Sequence, residues 1–142
     1  MQKTQKGFTI IELIVVIAII AVLATIVMIN VTQYIAKGKD ASIQGNLANV
    51  LTNAAVVYDA SSTYSGLCND PAVKAAIAAI DTTEGGTAGA KTDCVPNGTA
   101  GWFACAQLIK DNTKYFCVDS TGAKTTVTGT CGALTLTACP AS

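Results

Sequence analysis

From Phe8 to Ile29 the chain is apolar except for Thr9, Glu12 and Thr25. As a helix this run measures about 33 Å at ~1.5 Å per residue, a match for a hydrocarbon core of ~30 Å. Downstream the composition changes to Thr, Ala, Gly, Asn and Asp, with apolar residues in short groups. The chain therefore divides into one apolar rod and one water-facing head.

A secretory signal peptide would use Lys3 and Lys6 as its positive region and be cut after Ala24. Cleavage there leaves Thr25, Ile26, Val27, Met28 and Ile29 at a new N-terminus, and the run before the cut exceeds the usual ~7–15 residues. A plain membrane anchor, its Lys residues holding the N-terminus in the cytoplasm, accounts for everything except Glu12. A carboxylate in a membrane helix costs about 2.5–3.5 kcal/mol at mid-bilayer and less near an end. Either it meets a partner, or the helix dipole and snorkelling to the headgroups hold it.

Composition narrows the chemistry. The 142 residues hold nine basic and nine acidic side chains and no His, which removes Ser-His-Asp and Cys-His nucleophiles and His-bearing zinc sites. Without net charge or a run of Lys there is no basic surface for nucleic acid. An enzyme is the class the residues favour least, and no metal or cofactor is expected.

Gly7, Phe8, Thr9, Ile10, Ile11 and Glu12, followed by Leu13 to Ala24 in a chain beginning Met1, Gln2, Lys3, resemble the N-terminal signature of the type IV pilin superfamily. The segment Tyr115 to Ser120 also looks like a strand of some pilin-like heads. The resemblance implies that a membrane-embedded prepilin peptidase cuts between Gly7 and Phe8 and N-methylates the new Phe8 amine. It further implies that Glu12 meets the N-terminal amine of a neighbouring subunit during assembly, two charges that are costly in lipid offsetting one another when paired. Family members commonly carry a Pro where this chain has Ile29. Gly38 and Gly45 each cost ~1 kcal/mol relative to Ala inside a helix, so a bend or soft segment, if the helix has one, is expected there.

Beyond the membrane run, Ile43, Leu47, Val50, Leu51, Ala54, Val57 and Tyr58 recur at spacings of three and four and share a helix face. Ser42, Asn49, Thr52 and Asp59 lie opposite, and Val56 is off the stripe. One helix over about 8 to 60 is the expectation. Ser61 to Gly66 reads as a loop, and Ala72 to Ile80 as a short helix capped by Asp70 with Pro71 in its first turn. Residues 81 to 101 read as loop. Strands are predicted at Trp102 to Ile109, Lys114 to Asp119 and Lys124 to Thr128, with a fourth possible at Ala133 to Thr137.

The aromatic residues Trp102, Phe103, Tyr115 and Phe116 fit sheet core, and Asp70, Asp81, Glu84, Asp93, Asp111 and Asp119 fit caps and turns. Asn97, Gly98 and Thr99 form a glycosylation sequon on paper. Cys68, Cys94, Cys105, Cys117, Cys131 and Cys139 all lie beyond the membrane run without a CxxC, so disulfides are expected rather than metal or redox chemistry. Of fifteen possible pairings, the expected one joins Cys68 to Cys94, Cys105 to Cys117 across a hairpin, and Cys131 to Cys139.

The sequence reading is thus an α+β protein with a leader at 1–7, a membrane or filament-core helix at 8–29, an amphipathic continuation at 30–60 and an extracellular disulfide-rich head at 61–142. Its expected role is a structural subunit of a pilus-like filament. Before assembly it would be a single-pass inner-membrane protein with a cytoplasmic N-terminus, and afterwards part of a cell-surface fibre. The implied partners are other copies of itself or related pilins, the prepilin peptidase, and the assembly platform with its motor ATPase. The alternatives are a pseudopilin of a type II secretion system and an anchored or secreted binding domain that never polymerises. Major pseudopilins bind calcium with acids near the C-terminus, and this chain has none after Asp119.

Overall fold

A computed structural model describes residues 7–85, 92–97, 101–131 and 138–140. In chain order they form helix α1 (Ile10–Ser61), a short 3-10 turn (Leu67–Asn69), helix α2 (Pro71–Glu84) and strands β1 (Thr92–Asn97), β2 (Gly101–Gln107), β3 (Lys114–Asp119) and β4 (Lys124–Thr128). The strands make one antiparallel meander in the order β1-β2-β3-β4. The fold is α+β and pilin-like, with three disulfides. Two compact units divide the chain, Met1–Ile35 and Ala36–Ser142.

In the second unit the predicted stripe on α1 forms core. Ile43, Leu47, Val50 and Ala54 are buried, with Leu51 and Val57 half-buried against the same cluster. Ser42, Asn49, Thr52, Asp59 and Val56 are exposed. Each large aliphatic so buried contributes about 1.5–3 kcal/mol. Tyr58 lies at the margin of the stripe, stacked on Tyr64 at 4.7 Å between ring centroids, and Tyr64 meets the edge of Trp102 at 6.4 Å.

The helix runs unbroken through Gly38 and Gly45, and a Cβ at either would meet nothing within 4 Å. With space available and no positive φ to preserve, Gly38→Ala and Gly45→Ala are each expected to stabilise α1 by about 0.5–1 kcal/mol. Urea unfolding of the detergent-solubilised protein checks this; a loss of stability at either position would mean the glycine serves a contact absent from the single chain.

Asp70 caps α2 as expected, its Oδ1 accepting from Ala72 N at 2.9 Å and Val73 N at 3.2 Å, with Pro71 opening the helix. The helix continues past Ile80 to Glu84, so Asp81 and Glu84 are helical rather than turn residues. Thr82 and Thr83 return their hydroxyls to Ala78 O and Ala79 O, both at 2.8 Å, which satisfies them within the helix. Gly85 at φ 113° ends it, a conformation glycine adopts without a Cβ penalty.

The expected loop over 81 to 101 also hides strand β1. Its sequence, Thr-Asp-Cys-Val-Pro-Asn, is poor in strand formers, and Pro96 removes a ladder donor. At the sheet edge that loss is tolerated, because one row of N–H groups has no strand to bond. Cys94 anchors the strand to Cys68. The predicted strand from Trp102 ends at Gln107 rather than Ile109, where Asp40 on α1 takes over: its carboxylate accepts from Ile109 N at 2.6 Å and Lys110 N at 3.3 Å. The remaining two strands have their predicted limits. The possible strand at Ala133 to Thr137 lies outside the described residues, as do Gly98 and Thr99 of the sequon.

All of β2 is buried because both faces of the sheet are covered. Trp102, Ala104 and Ala106, with Val118 of β3, join the helix-side core. Phe103 and Cys105, with Tyr115 and Cys117, join a second cluster with Cys131, and Cys139 packs against it. That second cluster corrects the expected disulfides. Cys68–Cys94 forms, but Cys105 bonds Cys131 and Cys117 bonds Cys139. On this apolar face of β2 and β3 the cover among the described residues includes Cys131 and Cys139, and each is bonded to the strand cysteine it packs on.

Two buried polar side chains position the cover. Gln107 donates from Nε2 to Asn112 O and Lys114 O at 2.8 Å and to Gly129 O at 3.1 Å, while its Oε1 accepts from Cys131 N at 3.2 Å. Asp119, 1% exposed, accepts at Oδ1 from Thr121 Oγ1 (2.6 Å), Thr121 N (2.8 Å) and Ala123 N (3.3 Å), and at Oδ2 from Cys139 N (2.9 Å). Burial pushes this carboxyl up, but the hydrogen bonds outweigh it and hold it below the ordinary aspartate range. In the β2–β3 turn, Thr113 Oγ1, the Lys114 ammonium and Thr113 N lower Asp111 to about 2.

Candidate functional site

Gly7, Phe8 and Thr9 precede the first helical residue, Ile10. The reason the helix starts there is a reciprocal cap. Thr9 Oγ1 accepts from Glu12 N at 3.3 Å, and Glu12 Oε2 accepts from Thr9 N at 2.9 Å and from Thr9 Oγ1 at 2.7 Å. Leu13 N closes the first turn on Thr9 O at 3.3 Å. Thr-x-x-Glu in this geometry is a capping box, satisfying donors that a helix end otherwise leaves open. The carboxylate also sits where the helix dipole favours negative charge.

The sequence reading weighed Glu12 as dipole-stabilised but missed Thr9, although the Thr-x-x-Glu spacing before an apolar run is its written signal. Both bonds to the Glu12 carboxylate end on Oε2. Among the described residues Oε1 takes no hydrogen bond, and Glu12 is exposed. Among the described residues a Cβ at Gly7 would meet nothing within 4 Å, so their packing makes no demand for glycine at that position.

The described large apolar side chains between Phe8 and Ile35 are exposed, from 46% at Val31 to 84% at Phe8. The helix is long and apolar enough to cross a membrane. Two of its polar side chains return to their own backbone, Thr25 Oγ1 to Ala21 O at 2.9 Å and Asn30 Nδ2 to Ile26 O at 3.2 Å. That is how a helix in lipid satisfies such groups.

Residues 2–28 match the family model of the prokaryotic N-terminal methylation motif. The motif marks type IV prepilin-like proteins, and the long N-terminal helix and the small antiparallel sheet fit that likeness. The match covers the N-terminal residues and nearly all of the apolar run, not the head. No curated protein and no solved structure gives a significant match to the chain.

Proposed function

We propose that the chain is the structural subunit of an extracellular type IV pilus-like filament, matured by a prepilin peptidase between Gly7 and Phe8 and N-methylated on Phe8. The observation that carries this reading is an apolar surface between Phe8 and Ile35 that is exposed among the described residues, joined to a methylation motif that overlaps it at residues 8–28. Exposed apolar area of this extent needs lipid before assembly and neighbouring helices after it. A heterologous contact that does not close then propagates as a helical fibre. In this reading 1–7 is the leader, 8–29 the membrane and filament-core helix, 30–60 its amphipathic continuation and 61–142 the exported head.

Tyr34 supports the placement. Phe8 to Tyr34 spans about 39 Å at ~1.5 Å per residue, close to the ~40–45 Å of a bilayer with its interfaces, and Lys37 and Lys39 follow. The lack of acids after Asp119, where major pseudopilins place calcium ligands, favours a pilus over a secretion pseudopilus. Intact mass and N-terminal sequencing of the protein from membranes and from sheared surface fractions test the proposal. It requires a chain beginning at N-methylated Phe8; a chain retaining Met1, or starting at Thr25, sinks it.

Gly7→Val is expected to leave the folded head unchanged, because Gly7 lies outside the compact unit Ala36–Ser142, while uncleaved precursor accumulates in the membrane. Immunoblotting of membrane fractions reads the difference in size. Normal maturation of this variant would place the cut elsewhere.

A further inference from the structure

Cys105 and Cys117 are direct partners across β2 and β3, yet neither is bonded to the other. The ladder fixes how near they lie. Ser120 N donates to Trp102 O, and Leu108 N donates to Lys114 O. Hydrogen-bonded pairs therefore fall on the even positions of β2, and Cys105 with Cys117 occupies a non-hydrogen-bonded position. Such pairs have Cα atoms about 4.5 Å apart with side chains at their closest, inside the roughly 4.4–6.8 Å that a disulfide spans. Their actual partners, Cys131 and Cys139, pack in the same cluster on the same sheet face.

We propose that these four cysteines form a thiol–disulfide exchange site, in which Cys105–Cys117 and Cys131–Cys139 form first and a reduced dithiol isomerase on the exported side converts them to the native bridges. The local pair is twelve residues apart in sequence, against 26 for Cys105–Cys131. Loop closure alone then favours the local bridge by about threefold. The hairpin also brings the two cysteines together before the C-terminal segment has docked.

The exchange is redox-neutral. An isomerase thiolate attacks Cys117 Sγ, breaking Cys105–Cys117, forming a mixed disulfide and releasing the Cys105 thiolate. The Cys105 thiolate attacks Cys131 Sγ, forming Cys105–Cys131 and releasing the Cys139 thiolate. The Cys139 thiolate attacks Cys117 Sγ in the mixed disulfide, forming Cys117–Cys139 and returning the isomerase thiolate. The native set wins because Gln107 Oε1 holds Cys131 N and Asp119 Oδ2 holds Cys139 N, which keeps the segment in place over the sheet.

Cleavage after lysine separates the two states. In the native set, peptides 40–74, 92–110, 115–124 and 125–142 stay cross-linked; in the local set, 125–142 comes away alone with its own internal bridge. The test refolds the reduced full chain in detergent micelles with glutathione buffer, quenches with iodoacetamide and maps the peptides over time. Early samples are expected to release 125–142 in about threefold excess over its cross-linked form, and added reduced dithiol isomerase is expected to speed its disappearance. In the double variant Cys131→Ser, Cys139→Ser, Cys105 is expected to be bonded to Cys117. Native cross-linking from the first time point, an isomerase without effect, or alkylated Cys105 and Cys117 in the double variant would each overturn the proposal.

Discussion

Glu12→Gln is expected to abolish surface fibres while the protein still inserts, matures and folds its head. Glutamine at this position keeps the capping box with Thr9, since its side-chain oxygen accepts the same bonds. What it loses is the charge proposed to meet a neighbour's Phe8 amine. Removing one partner of a buried ion pair costs about 3–5 kcal/mol, a factor of at least about a hundred in association at each subunit contact. Glu12→Leu loses both functions and is expected to fray the helix start by a further ~1 kcal/mol. Thr9→Ala removes the box but keeps the carboxylate, so it should retain fibres. Comparing sheared and membrane fractions by immunoblot for the three variants separates cap from charge. Fibres at normal yield from Glu12→Gln would mean that the charge takes no part in assembly.

Asp119→Ala is expected to lower the stability of the head by about 3 kcal/mol or more, because the N–H groups of Thr121, Ala123 and Cys139 lose their acceptor together. The same carboxylate sets a pH dependence. Its folded pKa lies below the unfolded value, so its contribution is complete above the unfolded value of ~3.9 and is lost as pH falls through the lower folded value. Asp111, held at about 2, acts in the same direction from an exposed turn. Urea unfolding of the disulfide-intact protein should therefore be steady near neutrality and weaken below about pH 4. In Asp119→Ala that acid-side decline should shrink; an unchanged decline would assign it to other carboxylates.

Local rules carried far in this chain. The apolar run, the stripe from Ile43 to Val57, the Asp70–Pro71 start of α2 and the limits of β3 and β4 were all legible, because each rests on spacing or capping within a few residues. The methylation signature is likewise a contiguous string. Thr9 was equally local and was missed only because Glu12 was read without the residue three before it.

Features that needed the third dimension were a different matter. Strand β1 has no strand composition, and it exists because β2 supplies a partner while Cys94 ties it to Cys68. Asp40, which no local rule singles out, holds Ile109 and Lys110 from far along the chain. Cys105 and Cys117 do face each other, as a hairpin reading requires, but their bonding was settled by the need to cover the outer face of the sheet. By itself the sequence determined that this chain has an apolar helix long enough to cross a membrane, a methylation motif and a disulfide-bonded head. Only the tertiary structure decided which cysteines bond and which carboxylates are held, because those choices depend on which distant segments compete to bury the same apolar surface.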